Sequence, residues 1–230
     1  PQNLFLYAHY GYTATKFFSV MALPGLLSVI FLCVLIWRGA DAKLQLTLPN
    51  AKKPPLLETA VLLFLLLLNI GAVLHWLDKT LALAITVVAI LIRWRKLFVQ
   101  VDYNLLVTFI GFFIFIGNIS STCLAVYIQQ YLLGTAQGTY LAGLAASQFI
   151  SNVPAAMLLA GLTKKADALL LGVNVGGLGT LIASMASVIS YKLFVAEHPY
   201  QAGNYLRMFL YYNFAGLLLL GGAVYLLVIY

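Results

Sequence analysis

Residues 138–162 read GTYLAGLAASQFISNVPAAMLLAGL, and after a short polar link residues 168–194 read ALLLGVNVGGLGTLIASMASVISYKLF. Both are apolar at each end and interrupted in the middle, the first by Ser151-Asn152-Val153-Pro154 and the second by Gly176-Gly177-Leu178-Gly179-Thr180. Each arm of the first is about a dozen residues, too short to cross a hydrocarbon layer that takes about 20. A helix broken inside a bilayer costs several kcal/mol for each backbone group left unpaired, so breaks survive where protein, water or a bound ion repairs them. Two consecutive interruptions are therefore the informative feature of the chain.

That the solvent is a bilayer follows from composition. Of 230 residues, 63% are hydrophobic and 8% charged, against about 25% charged in a soluble domain. No soluble core of this size absorbs so much apolar surface. The formal net charge is +7, from 13 Lys+Arg and 6 Asp+Glu. The basic residues sit between apolar runs, as Lys52-Lys53 and as Arg93, Arg95 and Lys96, which is the pattern of cytoplasmic loops. No basic stripe interleaves with exposed aromatics, so nucleic acid is not an expected partner. Cys33 and Cys123 fall at opposite faces in the topology below and suggest neither a disulfide nor a metal site. No signal peptide is visible, and an opening on Pro1-Gln2-Asn3 without Met reads as a truncated N-terminus.

Unbroken apolar runs cover 17–37, 56–76, 77–94, 105–119 and 206–230, with 120–137 reading as an interfacial helix. Lys and Arg orient them in a cell (inner or plasma) membrane. The linker 38–55, with Arg38, Lys43, Lys52 and Lys53, is assigned inside, as is the loop with Arg93, Arg95 and Lys96. The turn at 75–79 and the uncharged stretch 120–137 are then outside. If 138–162 is a re-entrant hairpin, it enters and leaves from outside, and Lys164-Lys165 violate the charge rule. If it spans, those lysines fall inside, but Lys192 and Arg207 change sides. The hairpin is the preferred reading, with the C-terminus outside.

Ser151 and Asn152 are N-cap residue types for the second arm, and Pro154 suits its first turn. This places a helix N-terminus, with free N–H groups and partial positive charge, near mid-membrane, where it favours an anion. The Ser151 hydroxyl and the Asn152 amide oxygen can also coordinate a cation. The bland reading is a Pro-kinked helix. In the second segment, glycines allow unwound backbone with carbonyls turned toward an ion. Asn174 precedes the break, and Thr180, Ser184 and Ser187 follow at helical spacing as a polar stripe. The bland reading here is close packing, since Gly172 and Gly176 fit Gly-x-x-x-Gly.

The run Ser147-Gln148-Phe149-Ile150-Ser151-Asn152-Val153-Pro154-Ala155-Ala156, followed by the stretch from Gly172 to Ser184, resembles the ion transporter superfamily. That group includes citrate transporters, arsenite permeases, sodium/proton antiporters of the same fold and divalent-anion/sodium symporters. Val101-Asp102-Tyr103, leading to Gly117-Asn118, resembles its scaffold, and Pro1-Gln2-Asn3-Leu4 resembles the unwound stretch of its first repeat. The resemblance implies an all-α integral membrane protein: a multi-span helical bundle with a re-entrant hairpin and a discontinuous helix, one half of an inverted-repeat transporter. On this reading 1–37 ends the first repeat and 56–230 is the second, with scaffold helices at 56–120. The hairpin is 138–162, the broken helix 168–194 and the last helix 206–230. Pro1, Gln2, Asn3, Ser151, Asn152, Val153, Pro154, Asn174, Gly176, Gly177, Gly179, Thr180 and Ser184 are the implied substrate- and ion-binding positions. Ser151, Asn152, Gly177 and Thr180 are the sodium candidates. Where the symporters often carry Thr, this chain has Val153, which moves it toward the arsenite-permease and antiporter side.

The expected function is alternating-access transport of a small anion, coupled to sodium, with no other cofactor. The hairpin and broken helix would move against the three preceding spans. The missing N-terminal half completes the site, so the fragment alone is not expected to transport, and a homodimer is compatible with the sequence. A sodium/proton antiporter is the rival within transport. No acid falls in mid-membrane, where a proton relay would need one, so neutral-oxygen sodium coupling is preferred. His-Glu-x-x-His, Gly-x-Ser-x-Gly and paired membrane aspartates are all lacking, which argues against an intramembrane enzyme. A structural membrane subunit is the remaining class. Asn69, alone in an apolar span, is expected to bond between helices.

Overall fold

The computed structural model describes residues 2–39, 55–101, 103–119 and 122–229. Pro1 and the basic linker at 40–54, with Lys43, Lys52 and Lys53, lie outside the described residues, as do Asp102, Ser120 and Tyr230. The described residues are helical and contain no strand. In chain order the α-helices are α1 (Gln2–His9), α2 (Ala14–Gly39), α3 (Leu56–Val73), α4 (Lys79–Arg93), α5 (Tyr103–Ile119) and α6 (Cys123–Tyr131). There follow α7 (Ala136–Ile150), α8 (Asn152–Ala160), α9 (Ala166–Val175), α10 (Met185–Glu197) and α11 (Ala202–Val224), which runs on into a π-helical turn.

Among the described residues, three stretches are long and apolar enough to cross a membrane: Ala14–Trp37, Leu56–Val73 and Pro199–Ile229. α4 is shorter than the run at 77–94 suggests. Its 15 residues are about 22 Å long, less than a hydrocarbon core of about 30 Å. The reason is local. Asp78 caps its start by accepting from the Leu81 N–H at 2.9 Å, and Trp94 ends it ahead of a 3-10 turn at Arg95–Gln100.

The chain forms two compact units. One, Arg38–Asn104, holds the antiparallel pair α3 and α4. Asn69 Nδ2 donates to Thr86 Oγ1 at 2.9 Å, the interhelical bond expected of it. Arg93 Nη2 meets Glu58 Oε1 at 2.6 Å at the other end of the pair. That ion pair is largely exposed and contributes little by itself.

The other unit, Pro1–Trp37 with Leu105–Tyr230, is built on α7, α8 and α9. The middle of α9 is apolar on every side because it is buried on every side: Leu169, Leu170, Leu171 and Val173 have no exposed surface. Small residues set its distance to α7. A side chain at Gly172 would run into the Tyr140 carbonyl, and one at Gly176 would sit 2.9 Å from the Leu144 Cα. The Gly-x-x-x-Gly reading of these two glycines therefore holds.

α7 and α8 are the arms of a helical hairpin. Thr139 Oγ1, near the start of α7, lies 3.4 Å from Thr163 Oγ1, just past the end of α8, and Ser151 sits midway between them. Residues from the α1–α2 turn and the first turn of α2 clasp the open end. Tyr10 donates to the Thr163 carbonyl at 2.9 Å, Tyr12 to Asp167 Oδ1 at 2.6 Å, and Lys16 pairs with Asp167 at 2.8 Å. α1 packs along α8, and Gly161 and Ile116 bring α5 against the same hairpin.

Candidate functional site

The hairpin turns on one residue. α7 ends at Ile150 and α8 begins at Asn152, leaving Ser151 at φ 71, ψ 152, a region essentially reserved for glycine. Ser151 makes no side-chain cap bond, contrary to the N-cap role expected of it. Its positive φ turns the side chain away from the first N–H groups of α8, and Oγ lies 3.5 Å from the Ala183 carbonyl instead. Asn152 is the first helical residue of α8 rather than its cap. Pro154 falls in the first turn, where its missing N–H removes no helical bond.

Asn152 is 6% exposed. Its Nδ2 lies 2.9 Å from where a Cβ on Gly177 would be, so the carboxamide faces the broken helix. It makes no hydrogen bond to another described residue. Since no sealed side-chain nitrogen or oxygen lacks a partner among the described residues, this amide is not completely sealed by its neighbours. Val153 beside it is buried at 5% exposure and packs into the unit.

The second interruption follows α9. Gly177 and Leu178 donate back to Asn174 and Val175 at 3.2 and 3.0 Å, tightening the helix end. Gly179 takes φ +103, and Thr180 is extended. A 3-10 turn at Leu181–Ala183 precedes Ser184, whose Oγ caps α10 by accepting from the Ala186 N–H at 3.2 Å. The helical stripe of Thr180, Ser184 and Ser187 is therefore overturned. Ser184, at φ −144 and ψ 139, stands outside the helix that carries Ser187, so the three share no helical face.

Asn174 donates to Asn3 Oδ1 and to the Leu170 carbonyl, each at 2.7 Å, tying α1 to α9. Gln2, Asn3 and Leu4, expected to be unwound, instead open α1 as regular helix, and Pro1 lies outside the described residues. The structure thus brings together Ser151 with the turn before α10, Asn152 with Gly177, and Asn3 with Asn174. Beside the break, a cleft of about 330 Å³ runs between Asn174, Leu178, Met21, Ser28 and Asn213. Neither 147–156 nor 172–184 contains an Asp, Glu, Lys, Arg or His. The electrostatics here are those of peptide dipoles, with the α8 N-terminus at the tip. Among the described residues no group of three His, Cys, Asp or Glu is placed to hold a metal.

Gln148 is a site residue to which the sequence reading gave no role. Its Nε2 donates to the carbonyls of Gly176 and Leu178 at 2.8 and 2.9 Å, and its Oε1 accepts from the Thr180 N–H at 3.0 Å. The signal available was a polar side chain three residues before the tip of an apolar arm.

Residues 1–170 match the family described as Citrate transporter, CitMHS. The protein belongs to the CitMHS family. Two relatives extend the likeness of this CitMHS member. It is 34% identical over 197 residues to Uncharacterized transporter MJ0456 of Methanocaldococcus jannaschii, covering 84% of this chain and 52% of that protein. It is 27% identical over 202 residues to Inner membrane protein YbiR of Escherichia coli, with 84% and 52% covered. The chain therefore spans about half the length of the curated relatives it matches. No solved structure matches it. Family and relatives are transporters and membrane proteins rather than enzymes.

Proposed function

We propose that the complete protein is a secondary carrier that moves a small anion across the cell membrane, coupled to sodium, by alternating access. The observation that carries this reading is the Asn152 carboxamide: nine-tenths buried, unpartnered, at the N-terminus of α8 and facing the unwound Gly177. An anion meets the first N–H groups of α8 and the positive end of its dipole. Sodium takes neutral oxygens from Ser151, Asn152, Gly177 and Thr180. The first repeat supplies the matching ligands. α7 and α8 form a re-entrant hairpin open to the outside, and the C-terminus lies outside as well. The hairpin and α9 travel as one body because Gly172, Gly176 and Gln148 lock them together.

Antiport of sodium and protons is the second reading. It needs an acid in the other half, because neither interruption here contains one. The test is the full-length carrier in liposomes, offered citrate, dicarboxylates, sulfate and arsenite with and without a sodium gradient. Sodium-dependent uptake of one of these, lost in Asn152→Ala, supports the proposal. A sodium jump that shifts internal pH with no anion present favours antiport. Uptake unchanged by Asn152→Ala sinks the assignment of the site.

A further inference from the structure

Unwinding at Gly176–Thr180 releases carbonyl oxygens that a continuous helix would have bonded. In a membrane, each one left unpaired costs several kcal/mol. Two of the released groups converge on one side chain. Gln148 Nε2 reaches the carbonyls of Gly176 at 2.8 Å and Leu178 at 2.9 Å, with the Leu144 carbonyl of its own helix at 3.3 Å. The Thr180 hydroxyl adds a bond to the Gln148 main-chain carbonyl at 2.9 Å. The orientation of the amide follows from its partners. The Thr180 N–H can only donate and must face oxygen, while the three carbonyls can only accept and must face nitrogen. Gly179, at φ +103, lets the turn wrap this closely, since a side chain there would run into Gln148 Oε1. Two amide hydrogens therefore serve three carbonyl oxygens drawn from two segments. Backbone carbonyls converging on one point are also how proteins hold a bare cation.

We propose that the Gln148 carboxamide is a built-in substitute for a cation at the broken helix. It repairs the unwound backbone, so the carbonyls of Gly176 and Leu178 are committed to it. Any coupling ion bound by this half is left to the remaining oxygens, those of Ser151, Asn152, Gly177 and Thr180. That last clause rests on the sodium-coupled reading; the repair by Gln148 does not.

The test is thermal unfolding of the purified full-length carrier, titrated with sodium chloride against choline chloride at constant ionic strength and pH 8. Gln148→Glu still accepts from the Thr180 N–H but donates nothing to the carbonyls, which leaves an oxygen-lined gap beside a carboxylate. Its melting temperature is expected to be low in choline and to rise by several degrees, saturably, in sodium. The rise persists in the double variant Gln148→Glu/Asn152→Ala. Gln148→Leu, with neither donor nor acceptor, is low in choline and gains no more from sodium than the wild type does. A Gln148→Glu response no larger than the wild type's, or one abolished by Asn152→Ala, overturns the proposal. Should Gln148→Glu not accumulate, Gln148→Ser vacates the same space and is expected to gain a sodium response; a flat titration overturns the proposal equally. Because the readout is stability, failure of anion uptake and failure of this inference are separate results.

Discussion

Ser151 holds φ 71 and ψ 152 although it carries a side chain. That conformation costs an ordinary residue about 1–3 kcal/mol. Glycine adopts it freely but loses about 0.5–1 kcal/mol of backbone entropy elsewhere. Ser151→Gly is therefore expected to raise stability by about 1 kcal/mol, measured by unfolding of the full-length carrier. If the hydroxyl is a sodium ligand, the same change raises the sodium concentration needed for half-maximal uptake several-fold. A variant both more stable and unaltered in sodium affinity would leave Ser151 a turn residue only. Asn152→Ala gives the complementary pattern. No hydrogen bond is lost, so stability stays within about 1 kcal/mol while uptake disappears. At this scale the position of Ser151 and Asn152 at the start of a second arm was legible in the sequence. The positive φ was not, because serine at a helix start reads as a cap until the backbone says otherwise. Gln148 was hidden for a different reason: its partners are main-chain groups 28 to 32 residues away, and no local pattern points to them.

Between elements, approach distance decides. Gly172 faces the Tyr140 backbone with no room for a methyl group, whereas Gly222 in α11 has nothing within 4 Å of a Cβ position. Gly172→Ala is expected to separate α9 from α7 and to cost about 2 kcal/mol or more, the scale of overpacking a tight core. Gly222→Ala is expected to be neutral or to stabilise by up to about 1 kcal/mol through helix propensity. Melting temperatures of the two variants side by side check the contrast; equal losses would mean that the α7–α9 contact is not tight. The spacing of Gly172 and Gly176 announced this packing from the sequence alone. The polar stripe at Thr180, Ser184 and Ser187 failed because period arguments assume one continuous helix, and Ser184 restarts the helix as a cap. α4 came out short for a related reason, since apolar runs mark solvation while caps such as Asp78 set where a helix begins.

For the molecule in its membrane, the sequence fixes the solvent but leaves two topologies for 138–162. Charge counting is weak here because Lys164-Lys165 and the pair Lys192 and Arg207 pull in opposite directions. Thr139 and Thr163 meet at 3.4 Å, so the segment returns to the level at which it started. A spanning kinked helix would instead separate those residues by about 36 Å, at 1.5 Å per residue. Leu132, ahead of the hairpin, and Lys164, behind it, are both exposed. Introduced as Leu132→Cys and Lys164→Cys, separately, in a full-length carrier with Cys33 and Cys123 replaced by Ser, both thiols are expected to react with a membrane-impermeant maleimide from the same side. Intact cells test the outer face and inverted vesicles the inner one. Labelling of both from outside matches a hairpin that opens outward despite its lysines. Labelling of both from inside keeps the hairpin and inverts the whole assignment, including the C-terminus. Labelling from opposite sides means that 138–162 crosses the bilayer, and then the Ser151–Asn152 tip cannot be the end of a re-entrant loop.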